Sequence, residues 1–341
     1  MKLYKKTLCL AVILSLNALH GQTQQERIRN IEIQSKSAIK QANPSNLSSP
    51  GFKSNDSADI TGSTTGMQRP IFLKSGFLSY FANIDNSLSR TSNPYQNETK
   101  EDIIDGHDFV WSKTFSGGIL TNPIDANIAM LTFVGGGSWT KSDHLIEAYE
   151  SMNTYTTSAY LLCMIQHESG WNYRIGSSYA MVKDPRTTTE SFSEFYPNIG
   201  ATKTFDLPYD LLGFFDIGGG KHLTTSDGFD ADTSTGENWD FAVTLGLKYQ
   251  VFDMLISPSY RYTKTIYTTE NDIADPFPNS NRGRIDRKNT LSLKVDYPLF
   301  ENINLSANYS FDQVERVNAA ANATDYDNWS AGANLGLSLN F

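Results

Sequence analysis

The clearest pattern along the chain is a strict alternation of apolar and polar residues near the C-terminal end. From Trp329 to Phe341, apolar side chains occupy every second position, and Ser, Gly or Asn occupy the positions between them. The same period of two recurs in 238–250, 288–299 and 303–314. A period of two is that of a β-strand whose two faces meet different surroundings. These stretches are therefore predicted to be strands with one apolar and one polar face.

The connections between the predicted strands alternate between short and long. Short connections fall near 121–125, 167–171, 206–208, 251–254 and 300–302. Long polar connections fall near 85–105, 139–153, 183–194, 222–237, 268–287 and 315–327. They separate twelve predicted strands, at about 69–84, 106–120, 126–138, 154–166, 171–182, 195–205, 209–221, 238–250, 255–267, 288–299, 303–314 and 328–341. The first six alternate less regularly, which leaves their register open.

Strand length and connection pattern favour a membrane barrel over a soluble β-sandwich, which alternates as well. A tilted spanning strand needs about 9–11 residues, whereas strands of soluble proteins cluster at about 5–6. Outer-membrane barrels join their strands by short turns at one end and long loops at the other. Aromatic residues near the ends of the apolar faces are typical of interfacial girdles. The predicted fold is all-β: a twelve-stranded antiparallel transmembrane β-barrel with a disordered N-terminal segment.

The N-terminal part of the chain differs from the rest. Residues 1–21 combine a basic start, a short apolar run and a small-residue site, which indicates a secretory signal peptide. Residues 22–68 are rich in Ser, Asn and Gln and are predicted to form a flexible periplasmic segment. The barrel is predicted to occupy 69–341.

Composition narrows the class further. The net charge is −9 and no cluster of basic residues suggests nucleic acid as a partner. Only Cys163 remains after the predicted signal peptide, so an intramolecular disulfide scaffold is excluded. An exported, aromatic-rich chain of this kind is predicted to reside in the cell outer membrane, with outer-membrane lipid as a partner.

Two stretches carry resemblances to known families. The ending "GLSLNF" resembles the C-terminal β-signal of bacterial outer-membrane proteins, with Gly336, Leu339 and Phe341 at its spacing. That resemblance implies recognition by the barrel assembly machinery. The stretch from "YQVFDMLISPSY" to the C-terminus resembles a broad group of outer-membrane β-barrel porins, some of which occur with exopolysaccharide export genes. This second resemblance implies architecture more than substrate.

The function predicted from the barrel is passive, porin-like passage of small polar solutes or saccharides. The register of the regular strands turns charged residues of both signs inward, and the less regular strands add Arg174 and Lys221. The predicted lumen-lining residues are Asp240, Lys248, Arg261, Lys294, Asp296 and Asp312. The alternative is a non-conducting structural or surface-binding barrel whose interior charges pair across a filled lumen.

A second alternative is a lipid acyl hydrolase. In "QHESGWNYR", His167 and Ser169 are similar to the His-x-Ser element of outer-membrane phospholipase A and lipid A deacylase. The position of the third catalytic residue, near Met181, offers no acid or amide, and the pair falls at a short turn. No catalytic residue is therefore assigned, and an enzyme is not predicted. His144 and His222 are interpreted as isolated loop residues, so no metal or cofactor is predicted either.

Overall fold

The computed structural model describes the part of the chain that holds the predicted strands. The described residues are 78–92, 107–183, 185, 190–209, 211–225, 237–268, 281, 283–300, 302–318 and 325–340. The predicted signal peptide, the segment 22–68, the predicted barrel start at 69 and Phe341 lie outside them. Within these ranges no helix is long and apolar enough to span a membrane.

The described chain consists of thirteen strands and one short 3₁₀ helix, Glu147–Met152. The strands are β1 Leu78–Thr91, β2 Asp108–Thr121, β3 Ile124–Asp125, β4 Ala129–His144, β5 Thr154–His167, β6 Trp171–Lys183, β7 Glu190–Leu207, β8 Leu211–Thr225, β9 Asn238–Val251, β10 Met254–Tyr267, β11 Ile285–Phe300, β12 Ile303–Val317 and β13 Tyr326–Asn340. All are long except β3, a two-residue strand in the connection between β2 and β4 that pairs only with β4.

The strands close into a barrel in which each pairs antiparallel with its neighbours. β1 pairs with β13 from Phe81↔Asn340 to Thr91↔Ser330, and β2 skips β3 to pair with β4. Apart from β3, the described strands therefore form a wall of twelve without a free edge, which confirms the predicted fold. Closure matters because a backbone N–H or C=O inside a bilayer can be satisfied only by another strand.

The register gives the wall two chemically different faces. Large apolar side chains such as Leu161 and Ile199 are 63% and 65% exposed and share one face with other exposed aliphatic and aromatic residues. Buried polar side chains such as Asn328, at 2%, lie on the other face, which is the barrel interior. In β13 the odd-numbered positions through Leu339 lie outside and the even-numbered positions lie inside, as the alternation predicted.

The interior also contains an apolar cluster on the β1–β5 side. Phe81, Val134 and Leu162 are almost fully buried and pack with Leu120, Tyr160 and Met164. Glycines make room for the rings: a Cβ at Gly118 would come within 2.7 Å of the Phe81 ring. Because these inward side chains are apolar, β1 to β5 lack the clean alternation of the later strands.

Several predicted strand ends are wrong. The connection predicted at 85–105 begins too early, because β1 continues to Thr91 and pairs with both β2 and β13 from Phe81 to Thr91. The connection predicted at 139–153 also begins too early, because β4 runs to His144. The remaining connection contains the 3₁₀ helix. The strand predicted at 195–205 is longer, because β7 begins at Glu190. Polar residues continue the interior face beyond the apolar part of these strands, so the sequence there has the composition of a loop.

Candidate functional site

The six predicted lumen residues lie on four consecutive strands, β9 to β12, at interior positions of the register. They are Asp240, Lys248, Arg261, Lys294, Asp296 and Asp312. They do not form one cluster. The Asp240 and Asp312 side chains are only 8% and 4% exposed, whereas that of Lys294, which lies 2.6 Å from Asp296, is 53% exposed. Their role in lining a passage stays a prediction.

Arg174 is the centre of a polar network that joins β6, β7 and β8. Its Nη1 and Nη2 donate hydrogen bonds to the two carboxylate oxygens of Asp216 at 2.5 and 2.9 Å. Nη1 also contacts Thr202 Oγ1 at 3.0 Å, and the Thr202 hydroxyl donates to Asp216 at 2.6 Å. Two-point pairing of guanidinium and carboxylate fixes both orientation and position. The network therefore holds a charged pair at a defined place on the interior wall.

Two glycines create the space for this guanidinium. A Cβ at Gly200 would lie 2.4 Å from Arg174 Cζ, and a Cβ at Gly218 would lie 2.9 Å from Nη2. Both positions flank Arg174 on the interior face of β7 and β8. Gly200 and Gly218 thus permit a close approach of a charged side chain to the backbone.

A second network lies on the same wall around His222. Its Nδ1 is 2.9 Å from Glu194 Oε1, and its Nε2 is 3.5 Å from Asp240 Oδ1. The Tyr196 ring stacks on the imidazole at 4.1 Å, and the Tyr196 hydroxyl donates to Asp240 at 2.8 Å. The interpretation of His222 as an isolated loop residue is therefore wrong, because it lies in β8 between two carboxylates on neighbouring strands.

The interpretation of His144 as an isolated loop residue is also wrong. His144 lies on the opposite side of the barrel from His222. It is the last residue of β4, and its Nδ1 contacts the Asp108 carboxylate in β2. Both side chains are buried, and the His144 backbone N–H donates to Asn153 Oδ1 at 2.6 Å. The partners of both histidines are distant in sequence, which is why the sequence pattern alone does not identify them.

A third network joins Arg284, just before β11, to charged residues of β11 and β12 near the strand ends that lead into long connections. The Arg284 guanidinium binds both carboxylate oxygens of Asp286 and lies over the Tyr267 ring at 4.7 Å. Burial lowers the pKa of Arg284, but its hydrogen bond to Asp286 and other nearby groups raise that pKa above its ordinary value overall. Lys288 Nζ lies 2.7 Å from Asp312, which also accepts a hydrogen bond from the Thr290 hydroxyl at 2.6 Å.

Between the Asp108–His144 pair and the apolar cluster, the interior wall from β2 to β5 is neutral and rich in hydroxyl groups. Cross-strand hydroxyl pairs join Ser112 to Ser142 at 3.1 Å, Thr114 to Thr140 at 2.9 Å and Ser138 to Ser158 at 2.7 Å. In each pair either hydroxyl can donate, so the ladder can exchange donors and acceptors without moving its backbone. The barrel interior thus has a charged wall on β6 to β12 and, between the Asp108–His144 pair and the apolar cluster, a hydroxyl-rich wall on β2 to β5.

Lys221 is the one predicted inward residue that the register contradicts. It pairs with Trp239 on the exterior face of the neighbouring strand, and its Nζ lies 3.8 Å from Glu237. It follows Gly218 to Gly220, which carry no side chain and therefore give no alternation from which to read a face. Arg174, assigned inward from an equally irregular stretch, does lie on the interior face.

The His167–Ser169 pair is a local turn contact. Both the hydroxyl and the backbone N–H of Ser169 contact His167 Nδ1, at 2.8 and 3.1 Å. Both residues sit at the short β5–β6 connection, and no carboxylate among the described residues contacts the imidazole. Without a group that orients the ring, this arrangement lacks the third member of an acyl-transfer triad. Metal chemistry has no site either within the described ranges, where no group of three His, Cys, Asp or Glu could hold an ion.

Comparisons with known proteins yield solved structures alone, since no protein-family model and no curated protein sequence matches the chain. An outer-membrane channel from Pseudomonas putida F1 is 12% identical with a TM-score of 0.47, over 76% of this chain and 95% of that chain. The NanC porin is 10% identical with a TM-score of 0.39, over 75% and 100%. The β domain of the Bordetella autotransporter BrkA is 14% identical with a TM-score of 0.39, over 77% and 99%. Such values carry no conclusion about a solute or an activity.

Proposed function

We propose that the chain is an outer-membrane channel through which small polar solutes or saccharides pass passively along the barrel interior. The exterior supports the membrane placement, because its exposed aliphatic and aromatic side chains suit lipid and its backbone groups are paired around a closed wall. The proposal assigns the barrel no enzymatic activity and no cofactor.

The observation that carries the proposal is that the barrel interior has two chemically different walls. On one, Arg174 and Asp216 present a fixed charge pair; on the other, hydroxyl pairs such as Thr114–Thr140 present groups that can donate or accept. A sugar hydroxyl also donates and accepts, so it can exchange its hydration for contacts with either wall. An apolar solute cannot exchange hydration for such contacts, and it would leave these interior groups without hydrogen-bond partners.

The interior charges also predict that the passage has weak ion selectivity. Arg174 is matched by Asp216, and Lys288 by Asp312, so neither sign dominates at these two places. Rings of one charge sign are the usual source of strong ion selectivity. A pathway with locally balanced charges is expected to admit neutral and zwitterionic polar solutes with weak preference between anions and cations.

Conductance of the refolded barrel in a planar bilayer tests the proposal. Wild-type protein is expected to give discrete conductance steps, and liposomes containing it are expected to swell faster in monosaccharides than in trisaccharides. The double variant Arg174→Ala/Asp216→Ala removes both members of the pair and is expected to raise single-channel conductance. Leu161→Ala on the exterior is the matched control and should leave conductance unchanged.

A structural or surface-binding barrel is the second candidate, and the mutual pairing of buried charges favours it. Interior charges that pair with one another, such as Lys288 with Asp312, are also what a filled and rigid barrel requires. The two candidates differ in one result. A wild-type barrel that is folded, as shown by its heat-modifiable migration on electrophoresis, but gives no conductance would overturn the channel and leave the structural barrel.

We further propose that Gly336, Leu339 and Phe341 serve as the signal that the barrel assembly machinery recognises. Gly336 and Leu339 lie in β13, the strand that closes the barrel against β1. Gly336 is on the interior face opposite Asp85, and Leu339 is on the exterior face opposite Ala82.

A further inference from the structure

Two lysines lie directly opposite each other on the exterior face of the barrel. Lys113 in β2 and Lys141 in β4 are register partners, and their strand neighbours Phe115 and Trp139 are exposed on the same face. Like charges directly opposite in a sheet destabilise it. The arrangement is therefore unfavourable unless a negative group lies beside both lysines.

Aromatic rings surround this lysine pair. Lys113 Nζ lies 3.8 Å from the centre of the Trp111 ring, and Trp139 stacks on Tyr155 at 5.7 Å. Tyr155 is the register partner of Lys141 on the next strand. Tryptophan and tyrosine on a lipid-facing surface mark the depth of the headgroups, where the ring is buried and its polar edge is wet. The lysines therefore lie at a headgroup level.

A third lysine and one carboxylate complete the patch, which we define as Lys113, Lys141, Lys183, Asp143 and Tyr155. Lys183 is the register partner of Tyr155 at the end of β6. Asp143 lies 2.9 Å from Lys141 Nζ and is the negative group of the patch. With three lysines against Asp143 and Glu190, which is the register partner of Lys183 at the start of β7, the patch keeps one net positive charge (3 − 2 = 1).

A second cationic pair repeats the arrangement across the barrel. Lys264 in β10 and Arg287 in β11 are direct register partners on the exterior face. Glu315 lies 3.2 Å from Arg287 and offsets one of the two charges. Like the first pair, it lies close to strand ends that lead into long connections. Solvation could explain a single lysine on a lipid-facing wall. It does not explain two like-charged pairs at equivalent places.

We propose that the basic exterior patch binds the phosphate groups of anionic glycolipids in the outer leaflet. Phosphate oxygens between Lys113 and Lys141 would accept charge-assisted hydrogen bonds from both ammonium groups and remove their repulsion. The acyl chains of the same lipid would lie along the apolar wall below, beside Phe115 and Trp139. The inference rests on the proposed outer-membrane placement and does not depend on conduction.

Binding of a bisphosphorylated lipid A to the detergent-solubilised full-length barrel tests this proposal. Native mass spectrometry and thermal unfolding would be measured with bisphosphorylated lipid A, with its dephosphorylated form and with inorganic phosphate. The wild-type barrel is expected to retain the bisphosphorylated lipid and to unfold at a higher temperature in its presence. The dephosphorylated form is expected to bind on the order of tenfold or more weakly, since each charge-assisted contact is worth more than one neutral hydrogen bond.

Variants separate the patch from the rest of the surface. Lys113→Gln/Lys141→Gln is expected to lose on the order of tenfold or more in affinity, whereas Lys113→Arg/Lys141→Arg keeps the charges and should retain binding. Lys203→Gln is the control, because Lys203 is also exterior and lies 5.5 Å from the Trp171 ring, near the short-connection end. Equal binding by the glutamine variant and the wild type, or equal binding of both lipid forms, would overturn the proposal.

Two further results keep this proposal distinct from the channel. If inorganic phosphate alone protects the barrel as well as the lipid does, the site is one for free phosphate and the lipid assignment is wrong. Conductance of the glutamine variant should match that of the wild type, because the patch lies outside the barrel. A barrel that binds the lipid but does not conduct would therefore remove the channel and leave this inference standing.

Discussion

Arg174 and Asp216 form a two-point ion pair on the interior wall of the barrel, with Nη1 and Nη2 of the arginine at 2.5 and 2.9 Å from the carboxylate oxygens. They lie on β6 and β8, so the pair spans the whole width of β7 between them. It can do so only because β7 carries Gly200 at the crossing point. The pair thus links three strands of the wall.

Gly200→Ala is expected to destabilise the barrel by about 1–3 kcal/mol, the usual range for overpacking. Its methyl group would lie 2.4 Å from Arg174 Cζ, so the guanidinium would have to leave Asp216. Urea unfolding in lipid vesicles, followed by tryptophan fluorescence, measures the change. Gly135→Ala is the matched control, because a Cβ there meets nothing closer than 3.7 Å. Equal loss of stability in the two variants would show that the crossing point has no special role.

Phe81→Ala is expected to cost about 3–5 kcal/mol, the range for deleting a buried phenyl ring. Phe81 is 7% exposed and packs inside the barrel with Val134 and Leu162. Phe81→Leu keeps most of the volume and should lose less than about 1.5 kcal/mol. The same unfolding experiment applies. A loss of stability in the alanine variant no larger than in the leucine variant would mean that the ring does not pack as described.

Deleting Phe341 is expected to lower the amount of folded barrel in the outer membrane, because the resemblance of the C-terminal stretch to the β-signal implies recognition there. Heat-modifiable migration of the membrane fraction measures folded protein in cells. Refolding of the same variant into detergent should proceed as for the wild type, which separates recognition from stability. Leu335→Ile on the exterior face of β13 is the control. Unchanged levels of folded barrel in cells would contradict the assembly role.

The twelve long strands and the barrel they form were predictable because alternation and connection length do not require knowledge of distant contacts. In β9, Trp239 and Leu245 lie on the lipid side and Asp240 lies inside, as alternation predicts. The ends of β1 and β4 were not predictable, because their residues are polar and resemble a loop in composition. They are part of the barrel wall only because they pair with strands that are distant in the sequence. The strand-forming role of such residues depends on their neighbours in the sheet.

The interior networks show where sequence reasoning stops. His222 meets Glu194 and Asp240, which come from different strands, and nothing local to any of the three residues indicates that they meet. On β1 the rule that apolar side chains face lipid fails, because Phe81 is directed inward. Alternation assigns two faces to a strand, but it identifies the inward one only if the interior is polar.

The contrast between the two interior walls means that the barrel interior is not symmetric about its axis. Fixed charge pairs such as Arg174–Asp216 produce a transverse electric field, and the hydroxyl pairs on the nearby strands β4 and β5, such as Ser138–Ser158, are dipoles that can rotate to follow it. A solute with a dipole of its own would therefore be turned as it moves, with one preferred side toward the charges. Permeation through such a barrel would select for how polar groups are distributed over a solute, in addition to its size.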